Sequence, residues 1–137
     1  MRLMSRTLVL FTALAATVSA PAFAQATHVV RMVADPPKNR YQFDPAELTV
    51  RPNDILVFRV ASGAPHSVVF EGQGLSPGVR AALNAAMPGR SGDLSSPLLT
   101  ATGREYRIVV PQIPPGVYPF YCLPHRAYDM RGTLTVK

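Results

Sequence analysis

Apolar positions along this chain recur mostly with the period of a strand. "YRIVV" (106–110) and "TLTV" (133–136) alternate between apolar and polar or small residues, as a half-buried strand does. "ILVF" (55–58) is a continuous apolar run, the pattern of a central strand covered on both faces. Clusters of Pro, Gly and Asn divide such runs. Strands are therefore expected over His28–Val33, Glu47–Arg51, Ile55–Val60, Ser67–Glu71, Glu105–Val110, Val117–Cys122 and Gly132–Val136. "TVRPND" reads as a turn, because Pro52 lacks an amide donor and Asn53-Asp54 favours the turn conformation. One segment has the helical period instead. In "LSPGVRAALNAAMPG", Ser76 suits an N-cap, Pro77 the first helical position and Gly89 the exit. Val79, Leu83, Ala86 and Met87 then share a face, and "GRSGDLSSPLL" continues the connection as loop. The pattern predicts an all-β Greek-key β-sandwich of about seven or eight strands, with one short helix in a long connection. There is no internal repeat, and 137 residues suit a single domain.

The first residues follow a different rule. "MRLMSRTLVLFTALAATVSAPAFAQ" has basic Arg2 and Arg6, an apolar or small stretch from Thr7 to Val18, and Ala22-Phe23-Ala24 as an A-x-A cleavage site. This predicts a secretory signal peptide over 1–24, Sec-type because no two arginines are adjacent, and one domain over 25–137. Export to the periplasm, or to a compartment like the thylakoid lumen, follows, with no membrane insertion of the mature chain. Loss of Arg2 and Arg6 takes the net charge from +6 to +4, twelve basic residues against eight acidic. The remaining arginines lie singly, without a basic run or interleaved aromatics, so nucleic-acid binding is not indicated.

A single cysteine in an exported chain cannot form an internal disulfide, so it pairs between chains, lies buried, or holds a metal. The segment "YCLPHRAYDMR" sets a thiolate, an imidazole and a thioether within nine residues, at Cys122, His125 and Met130. Sulfur with imidazole suits copper or zinc, whereas carboxylates and carbonyls would suit magnesium or calcium. A structural zinc site wants four Cys/His ligands, and this chain has one cysteine and three histidines. Two histidines, one cysteine and a weak axial methionine make the blue-copper arrangement. His66, in "GAPHSVVF", follows a Gly-Ala-Pro turn that can aim it, and is preferred over His28 as the second histidine. Each residue also has an ordinary structural alternative, Cys122 as a small buried hydrophobe and Met130 as core filler, as expected of Met32 and Met87.

The C-x-x-H-x-x-x-x-M spacing resembles the type 1 copper loop of the cupredoxin family, and the chain is most similar to plastocyanins. "VYPFYCLPHRAYDMRGTLTV" resembles their last strands and ligand loop, and "FDPAELTVRPNDILVFRVASGAPHSVVF" their earlier strands and first ligand. The resemblance implies one type 1 copper ion held by His66, Cys122 and His125, with Met130 as the long axial ligand and the Pro65 carbonyl facing the metal opposite it. It implies an electron carrier rather than an enzyme, passing electrons through the exposed edge of His125 within an apolar patch of Leu123, Pro124, Pro65 and Ala64. Tyr121 is expected to pack with a hydrogen-bonded hydroxyl rather than relay electrons.

Two departures from the plastocyanin pattern stand out. Ser67 replaces the common asparagine after the first ligand, so the tie between the ligand loops is expected to be weaker but retained. The loop "RAYD" lacks the usual glycines, and Asp129 rather than Tyr128 is expected in any left-handed conformation, with its charge beside Met130 lowering the reduction potential. The acidic patch of plant plastocyanins has no counterpart, since "EGQGL" carries only Glu71, and Arg126 adds positive charge near His125. The expected partner is a c-type cytochrome or an oxidase with an acidic or neutral face, meeting a monomer transiently. The alternative is a periplasmic copper chaperone or storage protein of the same fold, against which the scattered methionines speak. A Cys122–His125 thiol enzyme is the weakest reading, because no oxyanion-hole signal accompanies the pair.

Overall fold

A computed structural model of the chain describes residues 23–137. The signal peptide expected over 1–24 therefore lies outside the described residues, apart from Phe23 and Ala24. Eight strands form two four-stranded sheets. They are β1 (Thr27–Asp35), β2 (Arg40–Asp44), β3 (Glu47–Val50), β4 (Ile55–Val60), β5 (Val69–Phe70), β6 (Glu105–Val109), β7 (Gly116–Tyr121) and β8 (Arg131–Val136). One sheet runs β2-β1-β4-β6 and the other β3-β8-β7-β5. Neighbours are antiparallel except β1 with β4 and β3 with β8, which run parallel. No described helix is long and apolar enough to cross a membrane.

Strand alternation builds the core. In β6 only Tyr106 and Ile108 are buried, and in β8 only Gly132, Leu134 and Val136. β4 lies between β1 and β6 and buries Leu56, Val57, Phe58 and Val60, which accounts for its continuous apolar run. The centre is aromatic. Phe120 of β7 meets Phe43, Phe58 and Phe70 edge-on, with ring centroids 4.8, 5.5 and 6.0 Å away. Such pairs contribute about 0.5–1.5 kcal/mol each beyond area burial. A Cβ on Gly132 of β8 would lie 2.3 Å from the Phe120 ring, so glycine is what lets these strands pair closely around it. Tyr118, Phe120 and Cys122 share the inward parity of β7, and the same alternation that fills the core delivers the thiol to its end.

The helix α1 (Pro77–Ala86) starts as expected, with the Ser76 hydroxyl accepting from the Val79 amide. Leu83 and Met87 are buried, and Gly89 takes a left-handed φ of 57° after the helix. Three features differ from the sequence expectation. The strand β2, bracketed by "DPPKN" and "DP", is an addition, and it sets Phe43 in the core and Tyr41 at the rim. The strand expected over Ser67–Glu71 shortens to Val69–Phe70. The connection after α1 explains why: His66 exchanges backbone hydrogen bonds with Leu99, and the Val68 amide donates to the buried Ser96 hydroxyl. The segment expected as loop thus supplies the partners that a longer β5 would need.

Candidate metal centre

His66 sits beyond β4, in the backbone bridge with Leu99. Its ring is fully buried, and its Nε2 lies 2.7 Å from the Ser62 carbonyl, to which it donates. A proton on Nε2 leaves the Nδ1 lone pair free, and Nδ1 faces the sulfur of Cys122 at 3.6 Å. The chain around Ser62 is bent sharply at Gly63, where φ is 64° and a Cβ would fall 2.4 Å from the Ala34 carbonyl.

Cys122 follows β7 and is also fully buried. Beyond it the chain coils as a short 3-10 turn over Leu123–Tyr128, and the turn places His125 Nδ1 3.5 Å from the same sulfur. Asp129 then takes the left-handed conformation, φ 57° and ψ 34°, as expected from its side chain. The loop is closed by its own backbone: the His125 amide donates to the Cys122 carbonyl, the Met130 amide to the His125 carbonyl, and the Cys122 amide to the Met130 carbonyl. Met130, immediately before β8, is fully buried.

Nδ1 of His66, Sγ of Cys122 and Nδ1 of His125 all lie within 4.8 Å of one another. With metal–sulfur about 2.3 Å and metal–nitrogen about 2.0 Å, sulfur and nitrogen on one metal lie about 3.5–3.7 Å apart for angles from tetrahedral to trigonal. The separations of 3.5 and 3.6 Å are those of a shared metal, and the donor set of thiolate and imidazoles beside a buried thioether fits copper.

Ser67 joins the two ligand segments. Its amide donates to Cys122 Sγ at 3.4 Å, and its hydroxyl accepts from the Leu123 amide at 3.0 Å. The serine keeps the tie expected of it, with its hydroxyl as the acceptor. Burial pushes the Cys122 thiol above its ordinary value, against hydrogen bonds from Ser67 and the His125 backbone that favour the thiolate. His66 is held below the usual histidine range by burial, despite its bond to Ser62. His125 is held low by burial and by the nearby His66. Burial that raises the thiol works against an activated nucleophile, which needs a lowered thiol pKa.

His28 is remote from this cluster. It lies on β1 beside Leu56 of β4, with its Nε2 3.0 Å from the Asp54 carboxylate. Met32 and Met87 are core residues, as expected.

Around His125, which is half-buried, Leu123, Pro124, Pro65, Arg126 and Tyr128 are exposed. Sequence reasoning missed two neighbours. Leu98, 55% exposed, lines a cleft of about 370 Å³ with Leu123, Ser67 and Pro97. Tyr41 packs its ring against His125 and Tyr128. The expected hydroxyl bond of Tyr121 is absent among the described residues. Instead the Arg126 guanidinium lies 4.4 Å over its ring and that of Arg131 5.9 Å from it. Arg131 also pairs with Glu71 at 2.8 Å and Asp129 at 2.9 Å. The Asp129 carboxylate is thus partnered and exposed, and its influence on the metal is smaller than a lone charge would exert.

Comparison with known proteins agrees with this geometry. The model of the family "copper binding proteins, plastocyanin/azurin family" matches residues 30–137. A plastocyanin of Synechococcus sp. is 35% identical over 121 residues, covering 88% of this chain and 80% of that protein. The chloroplastic plastocyanin minor isoform of Arabidopsis thaliana is 37% identical over 95 residues, 69% of this chain, which spans only 50% of that relative's length. The oxidised plastocyanin of Dryopteris crassirhizoma superimposes with a TM-score of 0.63 at 29% identity, over 80% of this chain and all of that one. The chain belongs to the plastocyanin/azurin family of copper-binding proteins.

Proposed function

We propose that His66, Cys122, His125 and Met130 hold one type 1 copper ion, and that the protein carries single electrons between redox partners. The observation that carries this reading is the convergence of two imidazole Nδ1 atoms on one buried sulfur. When bound, copper supplies a one-electron Cu(I)/Cu(II) couple, which thiolate, thioether and imidazole together accommodate. The chain's own residues do the rest. The Ser62 carbonyl fixes the tautomer of His66, the Ser67 amide and the closed 122–130 backbone hold the sulfur, and the Phe120 cluster keeps the strand end rigid.

Electrons leave through half-buried His125, within the apolar surface of Leu123, Leu98, Pro124 and Pro65. Arg126, which makes no ion pair among the described residues, gives that surface a positive rim. A c-type cytochrome or oxidase with an acidic or neutral face fits it, and such encounters are small and transient. The mature chain, from Gln25 onward, works as a monomer in the periplasm or a compartment like the thylakoid lumen. It performs no catalysis of its own and does not insert into the membrane.

Stopped-flow oxidation of the copper-reduced protein by hexacyanoferrate(III), an anionic one-electron acceptor, tests the role. One electron per chain is expected, at a rate that falls as salt rises and falls again in Arg126→Glu. Electron transfer insensitive to ionic strength would contradict the cationic docking face, and no stoichiometric transfer would contradict the carrier role.

A further inference from the structure

The two histidines of the cluster are restrained in different ways. His66 is fully buried, with its Nε2 donating to the Ser62 carbonyl at 2.7 Å. His125 is half-buried, and its Nε2 has no hydrogen-bond partner among the described residues; only its Nδ1 is engaged, towards Cys122. Its backbone is fixed by the loop, yet beyond that one contact nothing polar among the described residues fixes the ring about its side-chain torsions. What does lie against that ring is aromatic. Tyr41 approaches with centroids 5.2 Å apart and planes at 37°, and Tyr128 stacks on Tyr41 at 4.1 Å and 14°. Tyr128 itself is farther from His125, at 6.4 Å.

We propose that Tyr41, braced by Tyr128, is the positioning residue for His125, its ring performing the task that the Ser62 carbonyl performs for His66. This rests on the copper reading of the cluster. The two rings come from unlike places, which is what makes the arrangement a restraint. Tyr41 belongs to β2, whose backbone is paired along its length with β1, at Ala34 for Tyr41 itself. It shares a face with Phe43 and packs on the edge of the core, so its ring starts from a rigid base. Tyr128 comes from the ligand loop of the opposite sheet. Because Asp129 takes the left-handed turn, Tyr128 needs no special backbone conformation and its ring can lie on Tyr41. The stack therefore ties the His125 loop to the other sheet. A ring that cannot reorient is what a site needs if its donor atoms are to stay put as charge changes.

The test compares Tyr41→Leu, Tyr41→Phe and Tyr128→Ala with the parent, first without metal and then with copper. In the metal-free proteins, NMR ring-proton NOEs and side-chain relaxation report how many orientations His125 samples. With copper, EPR hyperfine splitting and the electron self-exchange rate report geometry at the metal. Tyr41→Leu should give His125 a second populated orientation, a changed hyperfine splitting, and self-exchange slower by about tenfold, as loss of orientation would produce. Tyr41→Phe should match the parent within about twofold, since the ring and not the hydroxyl is at work. Tyr128→Ala, on the exposed loop, should fall between the two, and it decides the matter if Tyr41→Leu does not fold. A His125 ring as ordered in Tyr41→Leu and Tyr128→Ala as in the parent would overturn the proposal, as would Tyr41→Phe behaving like Tyr41→Leu. A parent that binds no copper would defeat the copper reading instead, which the metal-free measurement does not depend on.

Discussion

Burial decides the chemistry of the individual side chains. His66 and Cys122 are both removed from water, and each is pushed towards its neutral form, the imidazole down and the thiol up. For His66 this has a direct consequence for stability. Its folded pKa is below the unfolded value of about 6.5, so the unfolded chain binds more protons between the two. Its contribution is fully present above that unfolded value and is lost as pH falls through the depressed folded one. His125 acts in the same direction, more weakly because it is partly exposed. The metal-free protein should therefore lose stability progressively as pH falls below about 6.5, in denaturant titrations run at successive pH values. His66→Gln should flatten that dependence. A pH-independent midpoint over this range in the parent would show that the ring is not held neutral by burial.

At the scale of elements, β7 and the loop after it carry the site. β7 presents Tyr118 and Phe120 inward, Cys122 follows with the same parity, and Phe120 is the hub of the aromatic cluster. Phe120→Ala should cost about 3–5 kcal/mol in urea unfolding, the range for large cavities in a packed core. A cost below about 1 kcal/mol would mean that the sandwich is not organised around this ring. These features were legible in the sequence because they carry local patterns: alternation exposed β6 and β8, Ser76-Pro77 marked the start of α1, and the Cys-His-Met spacing marked the loop. What was not legible came from pairing across the chain. The run "RYQFD" is too short and too bracketed by proline to announce itself, yet it brings Tyr41 to His125. The segment 94–99 carries no strand pattern because its pairing is broken into single bridges and a buried serine hydroxyl. Tyr121 was expected to pack with a hydrogen-bonded hydroxyl, but two arginines, one on the loop and one opposite it on β8, lie over its ring.

Over the whole molecule, the sandwich holds its reactive cluster at one end and leaves the other to structure. At the far end, the Asp54 carboxylate is pushed up by burial but pulled lower still by the Arg51 and Ala26 amides and by His28, and it pins the start of β1 to the turn before β4. At the metal end, most surface charge is spent in ion pairs, Arg131 with Glu71 and Asp129 among them, and Arg126 stands over Tyr121. In the reading proposed above, this end binds copper through the Cys122 thiolate. The most direct test is the visible and EPR spectrum of the purified protein with one equivalent of Cu(II). An intense blue thiolate-to-copper band is expected, absent from Cys122→Ser. A parent protein that stays colourless, or a Cys122→Ser variant that keeps the band, would contradict copper binding through Cys122.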